Sequence, residues 1–223
     1  MSKPLPLLTG APPTERADAA RNREALLQAA TELIEGCSIE GVTMDAVAAR
    51  AGVGKGTVFR RFGSREGLMA SLLDHRERVW QAGVISGPPP LGPGAPAMDR
   101  LLAFGASRMR LHLEQAALIE AAGRTWGDNP AVLGFATLHV RLLLTELGTP
   151  GDLDYLAGSL IAPLNVPVLR QQMGPGGMSE ARVLAGWETL VRRVVGAGTG
   201  TTRDEAPASV TDADADADAA ERT

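Results

Sequence analysis

The sequence contains little cysteine, few aromatic residues and no long apolar run, and each of these shortages excludes or disfavours a class of protein. It has a single cysteine, Cys37, which excludes an intramolecular disulfide and favours a reducing compartment. Aromatic residues make up only 4% of the chain, which favours helices over sheet. No apolar run approaches the roughly 20 residues that a membrane-spanning helix needs. The first residues, MSKPLPLLTGAPP, lack the long apolar core of a signal peptide. We therefore expect a cytoplasmic, mostly helical protein that does not enter a membrane.

Negative charge is concentrated at one end of the chain. The formal net charge is −4, but residues 201–223 hold two arginines against seven acidic residues and account for −5. Residues 1–200 therefore carry +1. The repeated Asp-Ala of residues 212–219 has no apolar pattern and predicts disorder. It resembles a calcium loop only superficially, because alanine stands at the sixth position and no glutamate at the twelfth.

The stretch from Thr43 to Phe62, TMDAVAARAGVGKGTVFRRF, predicts two short helices joined by a tight turn. Thr43 is a good N-cap, and Gly52 suits the left-handed residue that ends a helix. Val53 is expected to fill the turn. Val58 and Phe62 lie four residues apart and are expected to face the core. All the charged residues between positions 50 and 65 are positive: Arg50, Lys55, Arg60, Arg61 and Arg65. The second helix of the stretch therefore bears cations and no acidic residue.

Helices are also predicted on both sides of this stretch. An apolar stripe from about Asp18 to Glu35, closed by a buried Cys37, indicates a preceding helix. A following helix is capped by Ser64 and ends near Val84. The run SGPPPLGPGAPA then cannot be helical and marks a boundary. Beyond it, residues 98–126, 130–148, 152–173 and 179–196 predict helices, the third kinked by Pro163 and Pro167.

These features together resemble a TetR-family transcriptional regulator. The motifs that carry the resemblance are Gly41-Val42-Thr43, Ala51-Gly52-Val53, Lys55-Gly56-Thr57, Phe59, Phe62 and Ser64-Arg65-Glu66-Gly67-Leu68. The resemblance implies an all-α fold, with an N-terminal three-helix helix-turn-helix DNA-binding domain and a C-terminal helical ligand-binding and dimerisation domain. The implied divisions are a disordered arm (1–17), the DNA-binding domain (18–84), a Pro/Gly-rich linker (85–97), the effector-binding and dimerisation domain (98–197) and a disordered acidic tail (198–223).

The resemblance assigns DNA contacts to matching positions. Thr43, Lys55 and Thr57 would contact phosphates, and Arg60 and Arg61, beside the short Gly56, would reach base edges. Arginine binds guanine in a bidentate manner, and cations at a helix N-terminus bind phosphate. Two positions depart from the family pattern. Phe59 stands where tyrosine is usual and lacks a hydroxyl for phosphate, and Gly54 stands where serine is common and is a weaker cap.

The resemblance also implies a small-molecule effector and a homodimer. Sparse polar and aromatic residues on apolar helices are the usual lining of such pockets. The candidates are Phe104, Arg108, His112, Trp126, Phe135, His139 and Asn165, although each aromatic among them is equally consistent with plain core packing. The segments around Leu160–Leu169 and Leu184–Val194 would form a four-helix bundle across a two-fold axis. The partner would be a near-palindromic operator, with repression relieved by the effector; activation is the open alternative.

Other kinds of site are disfavoured. The run from Gly52 to Thr57 fails the P-loop pattern, because Ala49 occupies the first glycine position and Gly56 follows the lysine. His75, His112 and His139 share no metal-ligand spacing, and no catalytic set stands out. We expect no cofactor, no metal and no enzyme activity. The rival hypothesis is a helical ligand-binding protein or enzyme whose basic helix binds DNA only weakly and without sequence preference.

Overall fold

The computed structural model describes residues 13–36, 38–123 and 130–196, and these ranges are helical without a strand. Residues 1–12 and 197–223, most of the expected arm and tail, lie outside the described residues, as do Cys37 and Trp126. The α-helices, in chain order, are α1 (Pro13–Gly36), α2 (Met44–Arg50), α3 (Lys55–Phe62), α4 (Arg65–Ser86), α5 (Ala97–Ala121), α6 (Pro130–Glu146), α7 (Leu153–Ile161), α8 (Val166–Met173) and α9 (Glu180–Gly196). Short 3₁₀ turns span Ile39–Gly41 and Ala162–Leu164.

The all-α fold class predicted from the sequence is confirmed, and the helix starts agree where capping signals were clear. The Thr43 hydroxyl accepts from the Ala46 amide at 3.1 Å, and the Ser64 hydroxyl accepts from the Gly67 amide at 3.1 Å. Gly52 has φ +67° at the turn. Helix α3 ends at Phe62, the last residue of the predicted two-helix stretch. Local side chain–backbone bonds of this kind are specified within four residues, which is why the sequence predicts them.

Three expectations differ from the structure. Helix α1 begins at Pro13, five residues before the expected start at Asp18, because proline is well tolerated in a first turn and no apolar stripe marks that turn. Val53 does not fill the turn: it is 39% exposed, and the turn is closed by its backbone amide, which donates to the Ala48 carbonyl at 3.0 Å. The segment around Pro163 and Pro167 is broken into α7, a 3₁₀ turn and α8, a larger disruption than a kink.

The side chains form two apolar cores along the long helices α4 and α5. The N-terminal core packs α1, α2, α3 and the first half of α4, and it includes Val47, Val58 and Leu72. The C-terminal core packs the end of α4 with α5, α6, α7, α8 and α9. Leu118, near the end of α5, belongs to the N-terminal core. Two helices therefore connect the cores, one on each side of the Pro/Gly-rich linker.

Candidate DNA-binding surface and interior polar cluster

Two arginines of the cationic stretch, Arg65 and Arg50, bind neighbouring segments of the helix-turn-helix. The Arg65 guanidinium donates to the carbonyls of Val42 at 3.0 Å and Ile39 at 2.6 Å, fixing the chain just before α2. Arg50, at the end of α2, pairs with Glu32 of α1 at 2.5 Å. These bonds hold α2 against α1 and therefore set the direction in which α3 points.

Of the seven residues expected to contact DNA, Thr43 is the N-cap of α2 and the other six lie on α3. All are exposed except Thr57, which is half-buried: Thr43, Lys55, Gly56, Thr57, Phe59, Arg60 and Arg61. Phe59 is 41% exposed, and the Lys55 ammonium lies 5.6 Å from the centre of its ring. A Cβ added at Gly56 would meet no atom within 4 Å, so the backbone there is open to a partner. The first α3 amides and these cations form one surface.

Arg60 and Arg61 differ in their surroundings although they are adjacent. Arg61 donates to the Ala19 carbonyl of α1. Arg60 makes no ion pair with any residue in the ranges the structure describes. Both line an open groove of about 360 Å³ between α1 and α3, together with Asp18 and Asn22. Arg60 is therefore the more available of the two for a polyanion, and Arg61 must exchange a backbone carbonyl for it.

Lys55 is paired with an acidic residue of α2 across the turn. Asp45, in the first turn of α2, lies 2.8 Å from the Lys55 ammonium, and both side chains are largely exposed. An exposed pair of this kind is worth only about 0–1 kcal/mol. A phosphate can displace it, but the Asp45 carboxylate then lies close to the phosphate and opposes binding.

We expect Asp45→Asn to raise DNA affinity roughly 3- to 10-fold at low salt, because it removes a repelling charge and frees Lys55. For a dimer, the slope of log affinity against log salt should steepen by about 2, one phosphate contact for each protomer. Fluorescence anisotropy across a salt series measures both quantities. Asp99→Asn makes the same change in the first turn of α5, on an exposed site away from α3, and should change neither. Weaker binding by Asp45→Asn would instead identify Asp45 as a direct DNA contact.

The candidate effector residues are brought together in part. The Phe104 and His139 rings stack with centroids 5.1 Å apart, and the Phe135 ring lies 6.2 Å from His139. Trp80 of α4 joins them, 5.1 Å from Phe104. These rings come from α4, α5 and α6 and form one aromatic cluster within the C-terminal core.

The polar candidates adjoin that cluster. Arg108 is only 2% exposed, pairs with the buried Glu77 carboxylate of α4 at 2.6 Å, and has its guanidinium 4.6 Å from the Trp80 ring. His112, one turn further along α5, donates from Nδ1 to the Leu164 carbonyl at 2.6 Å. Asn165 follows Leu164 in the chain and therefore lies beside this bond.

Burial shifts the titration of these groups. Burial lowers the pKa of Arg108, against the opposing effect of Glu77. The pKa of His112 is lowered to about 3, first by burial and then by the Arg108 charge, against the opposing effect of the Leu164 carbonyl. The pKa of His139 is lowered to about 4 by burial and then by Arg100. Both imidazoles are therefore neutral at neutral pH.

The depressed histidine pKa values predict acid sensitivity. The unfolded chain, with a histidine pKa near 6.5, binds protons more readily than the fold, so the free energy of unfolding should fall as pH drops from about 6.5 towards 4. His112 should contribute a slope of about 1.4 kcal/mol per pH unit in that window. Urea unfolding at several pH values measures it. His112→Gln keeps an amide donor for Leu164 and should lose that part of the slope; an unchanged slope would contradict the assignment.

Sequence reasoning missed three residues of these sites: Glu77, Trp80 and Asp45. A signal existed for the first two, because Glu77 interrupts an apolar stripe of α4 between Leu73 and Trp80. A lone charge on the buried face of a helix indicates a buried partner. Nothing in the sequence pairs Glu77 with Arg108, 31 residues away, or Asp45 with Lys55 across the turn.

A short cationic helix presented by a tight turn from a three-helix unit defines a helix-turn-helix DNA-binding protein. Residues 26–72 match the family model described as bacterial regulatory proteins, tetR family. The matched segment runs from α1 into α4 and contains the whole helix-turn-helix, so this part of the chain is similar to the tetR family of bacterial regulatory proteins.

Two solved structures are similar to this chain. A Mesorhizobium loti protein assigned to the TetR-family transcriptional regulators is similar with a TM-score of 0.51 and 17% identity, over 80% of this chain and 97% of that chain. A Rhodococcus sp. protein with the same assignment has a TM-score of 0.49 and 18% identity, over 78% of this chain and 99% of that chain. No curated protein matches the sequence. Within the described ranges, no helix is long and apolar enough to cross a bilayer, and no group of side chains is suited to hold a metal ion.

Proposed function

We propose that the chain is a homodimeric repressor that binds a near-palindromic operator in the cytoplasm and releases it when a small-molecule effector binds. The observation that carries the proposal is the exposed face of α3, where Arg60 and Lys55 surround an open glycine backbone and no acidic residue of α3 intervenes. Arg50 and Arg65 instead bind the segments that support α3.

Each residue on this surface has a role set by its chemistry. Thr43, Lys55 and Thr57 would contact phosphates and fix the register of the helix on the duplex. Arg60 and Arg61 would reach base edges, where a bidentate bond to guanine provides roughly 1–3 kcal/mol of discrimination. Phe59 would contribute apolar contact to a thymine methyl or a sugar, because it has no hydroxyl for phosphate.

The dimer would form through the outer faces of α8 and α9. Leu160, Leu164 and Leu169 are buried within their own protomer, so they are not free to contact a partner. Leu190 of α9, in contrast, is 40% exposed and borders an open groove of about 220 Å³ between α8 and α9. A two-fold axis along this face would place two α3 helices about one DNA turn apart, roughly 34–36 Å.

Leu190→Arg should convert the dimer to a monomer, because two guanidinium groups would be buried against each other at the two-fold axis. Operator affinity should fall at least about 100-fold, since each half-site is then bound independently. Analytical ultracentrifugation measures the mass, and anisotropy measures binding. Val79→Arg places the same charge on an exposed apolar position of α4 and should leave the mass unchanged. A Leu190→Arg protein that stays dimeric would place the interface elsewhere.

Release by an effector requires a ligand that prefers a different separation of the two α3 helices. Helices α4 and α5 both run from the C-terminal core into the N-terminal core, so both would carry the change. The effect on DNA is limited to the ratio of ligand affinities in the two states.

The test is footprinting of the purified protein on the DNA upstream of its own gene and the neighbouring genes, at about physiological salt. A protected near-palindrome supports an operator, and reduced transcription from that template in vitro supports repression over activation. Diffuse binding that collapses with salt would leave only the phosphate contribution and overturn the proposal.

A further inference from the structure

A layer of polar side chains separates the two apolar cores at the level where α4 and α5 cross between them. On α4, Leu73 belongs to the N-terminal core and Trp80 to the C-terminal core, with Glu77 between them. On α5, Arg108, His112 and Gln115 are buried on one helix face between Phe104 and Leu118, which belong to different cores. Spacings of four and three residues place them on that common face. The layer therefore crosses both helices at the same height.

Several atoms of this layer have no hydrogen-bond partner among the residues that the structure describes. One terminal nitrogen of the Arg108 guanidinium pairs with Glu77, whereas its Nε has no hydrogen-bond partner among these residues. The side-chain nitrogen of Gln115, a residue only 4% exposed, is also unpaired. The Oδ1 atom of Asn165, beside the His112–Leu164 bond, lacks a donor. Each such buried group costs about 1–3 kcal/mol relative to a satisfied one. Apolar residues of similar size would avoid the cost, so these groups indicate a partner that occupies the layer.

The hydrogen-bonding character of the partner follows from the open atoms. Gln115 and Arg108 offer N–H donors and so call for an acceptor on the partner. Asn165 Oδ1 offers an acceptor and calls for a donor. A carboxamide or lactam carries both, with a carbonyl and an N–H on adjacent atoms. A simple ketone or hydrocarbon would leave one side of the layer unsatisfied.

The charge of the partner follows from the ion pair. The Glu77 carboxylate already neutralises Arg108 at 2.6 Å, and His112 is neutral because its pKa is lowered to about 3. An anionic ligand would approach Glu77 and be repelled, and a cationic ligand would be repelled by Arg108. Either would also lose its hydration in a buried site, which is costly for an ion and small for an amide. The adjoining rings of Trp80 and Phe104 favour a flat apolar group beside the polar one.

We propose that the effector is an uncharged molecule with an amide-like donor–acceptor group attached to a ring, and that it binds in this layer through Gln115, Arg108 and Asn165. This inference rests on the proposed function, since it names the effector class of that regulator. A ligand bound in this layer would contact α4 and α5 at the point where each helix passes from one apolar core into the other, and could therefore change how the two cores are positioned.

The test uses three probes of matched size: benzamide, benzoate and benzylamine. Each is titrated in the millimolar range against the full chain, and the shift of the thermal midpoint is recorded without DNA. Benzamide should raise the midpoint saturably, by several degrees at concentrations well above its Kd, and the two ions should not. A larger shift with either ion would overturn the charge argument, and no saturable shift with benzamide would overturn the proposal.

Gln115→Leu locates the site. This variant removes an unpaired buried amide, so it should fold at least as stably as the parent while losing at least about tenfold in benzamide affinity, one hydrogen bond to a buried donor. Gln171→Leu makes the same change on the exposed face of α8 and should bind benzamide as the parent does. Unchanged binding by Gln115→Leu would move the site elsewhere. The thermal-shift measurement contains no DNA, so it tests only effector binding. Footprinting tests only operator binding, and the two proposals can therefore fail separately.

Discussion

A protein in which Arg60 and Arg61 are both alanine should lose operator protection while remaining a folded dimer. Each arginine that makes a bidentate base contact provides roughly 1–3 kcal/mol, so the pair should cost at least about 100-fold in affinity for a specific site. Both side chains are exposed on α3, away from Val58 and Phe62, which bury the other side of the helix. Loss of the guanidinium groups therefore removes contacts to DNA without disturbing the core.

The single variants should rank unequally. Arg60 has no ion pair with a described residue, whereas Arg61 must give up its bond to the Ala19 carbonyl before it can reach DNA. Arg60→Ala should therefore have the larger effect on operator affinity, and anisotropy with an operator duplex and a scrambled duplex measures both. The control is Arg78→Ala, which removes an exposed arginine of α4 that donates to the Asp74 carbonyl of its own helix. A double variant that still protects the operator would show that α3 does not read the bases.

The helix-turn-helix could be predicted from the sequence because its determinants are local. The Thr43 and Ser64 caps, the Gly52 turn and the pair Val58 and Phe62 all act within four residues, and the structure confirms each of them. The run of cations without neighbouring acidic residues is likewise evident from the sequence. The binding partners of Arg50 and Arg65 could not be predicted, because they lie on segments that are 18 to 26 residues away in the chain.

The interior of the C-terminal domain was predicted less well, for a related reason. Phe104, Phe135 and His139, three of the candidate pocket residues, lie together in the structure. The Glu77–Arg108 pair and the burial of the Gln115 amide depend on how α4 and α5 are rotated against each other, and neither was predicted. Helix rotation is set by packing across the whole core, which hydrophobic periodicity in a single helix does not specify.

The largest effect on stability is expected from a glycine. Gly105 lies inside α5, and a Cβ placed there would lie 2.0 Å from Cη2 of Trp187 and 2.1 Å from its Cζ3. The indole has no room to move, because it is buried and its Nε1 donates to the Leu160 carbonyl at 2.7 Å. Gly105→Ala should gain about 1 kcal/mol in helix propensity, yet overpacking costs roughly 1–3 kcal/mol or more, and here the clash involves three ring atoms. We expect a net loss of about 2 kcal/mol in the free energy of unfolding, measured by urea denaturation.

The glycine and the indole should be energetically coupled, and the coupling tests whether the clash is the cause. Trp187→Phe removes part of the ring that fills the space above Gly105, so the cost of Gly105→Ala should shrink by at least about 1 kcal/mol in that background. Gly158→Ala is the matched control: a Cβ there meets no atom within 4 Å in the middle of α7, so the same change should stabilise the protein by up to about 1 kcal/mol. Because Trp187 is part of α9, displacing it should also shift the proposed dimer face, and Gly105→Ala should weaken dimerisation more than its loss of stability alone would. If Gly105→Ala costs the same free energy of unfolding in both backgrounds, α5 and α9 separate freely at this contact. A change in the packing of the core would then not be transmitted through α9 to the partner protomer.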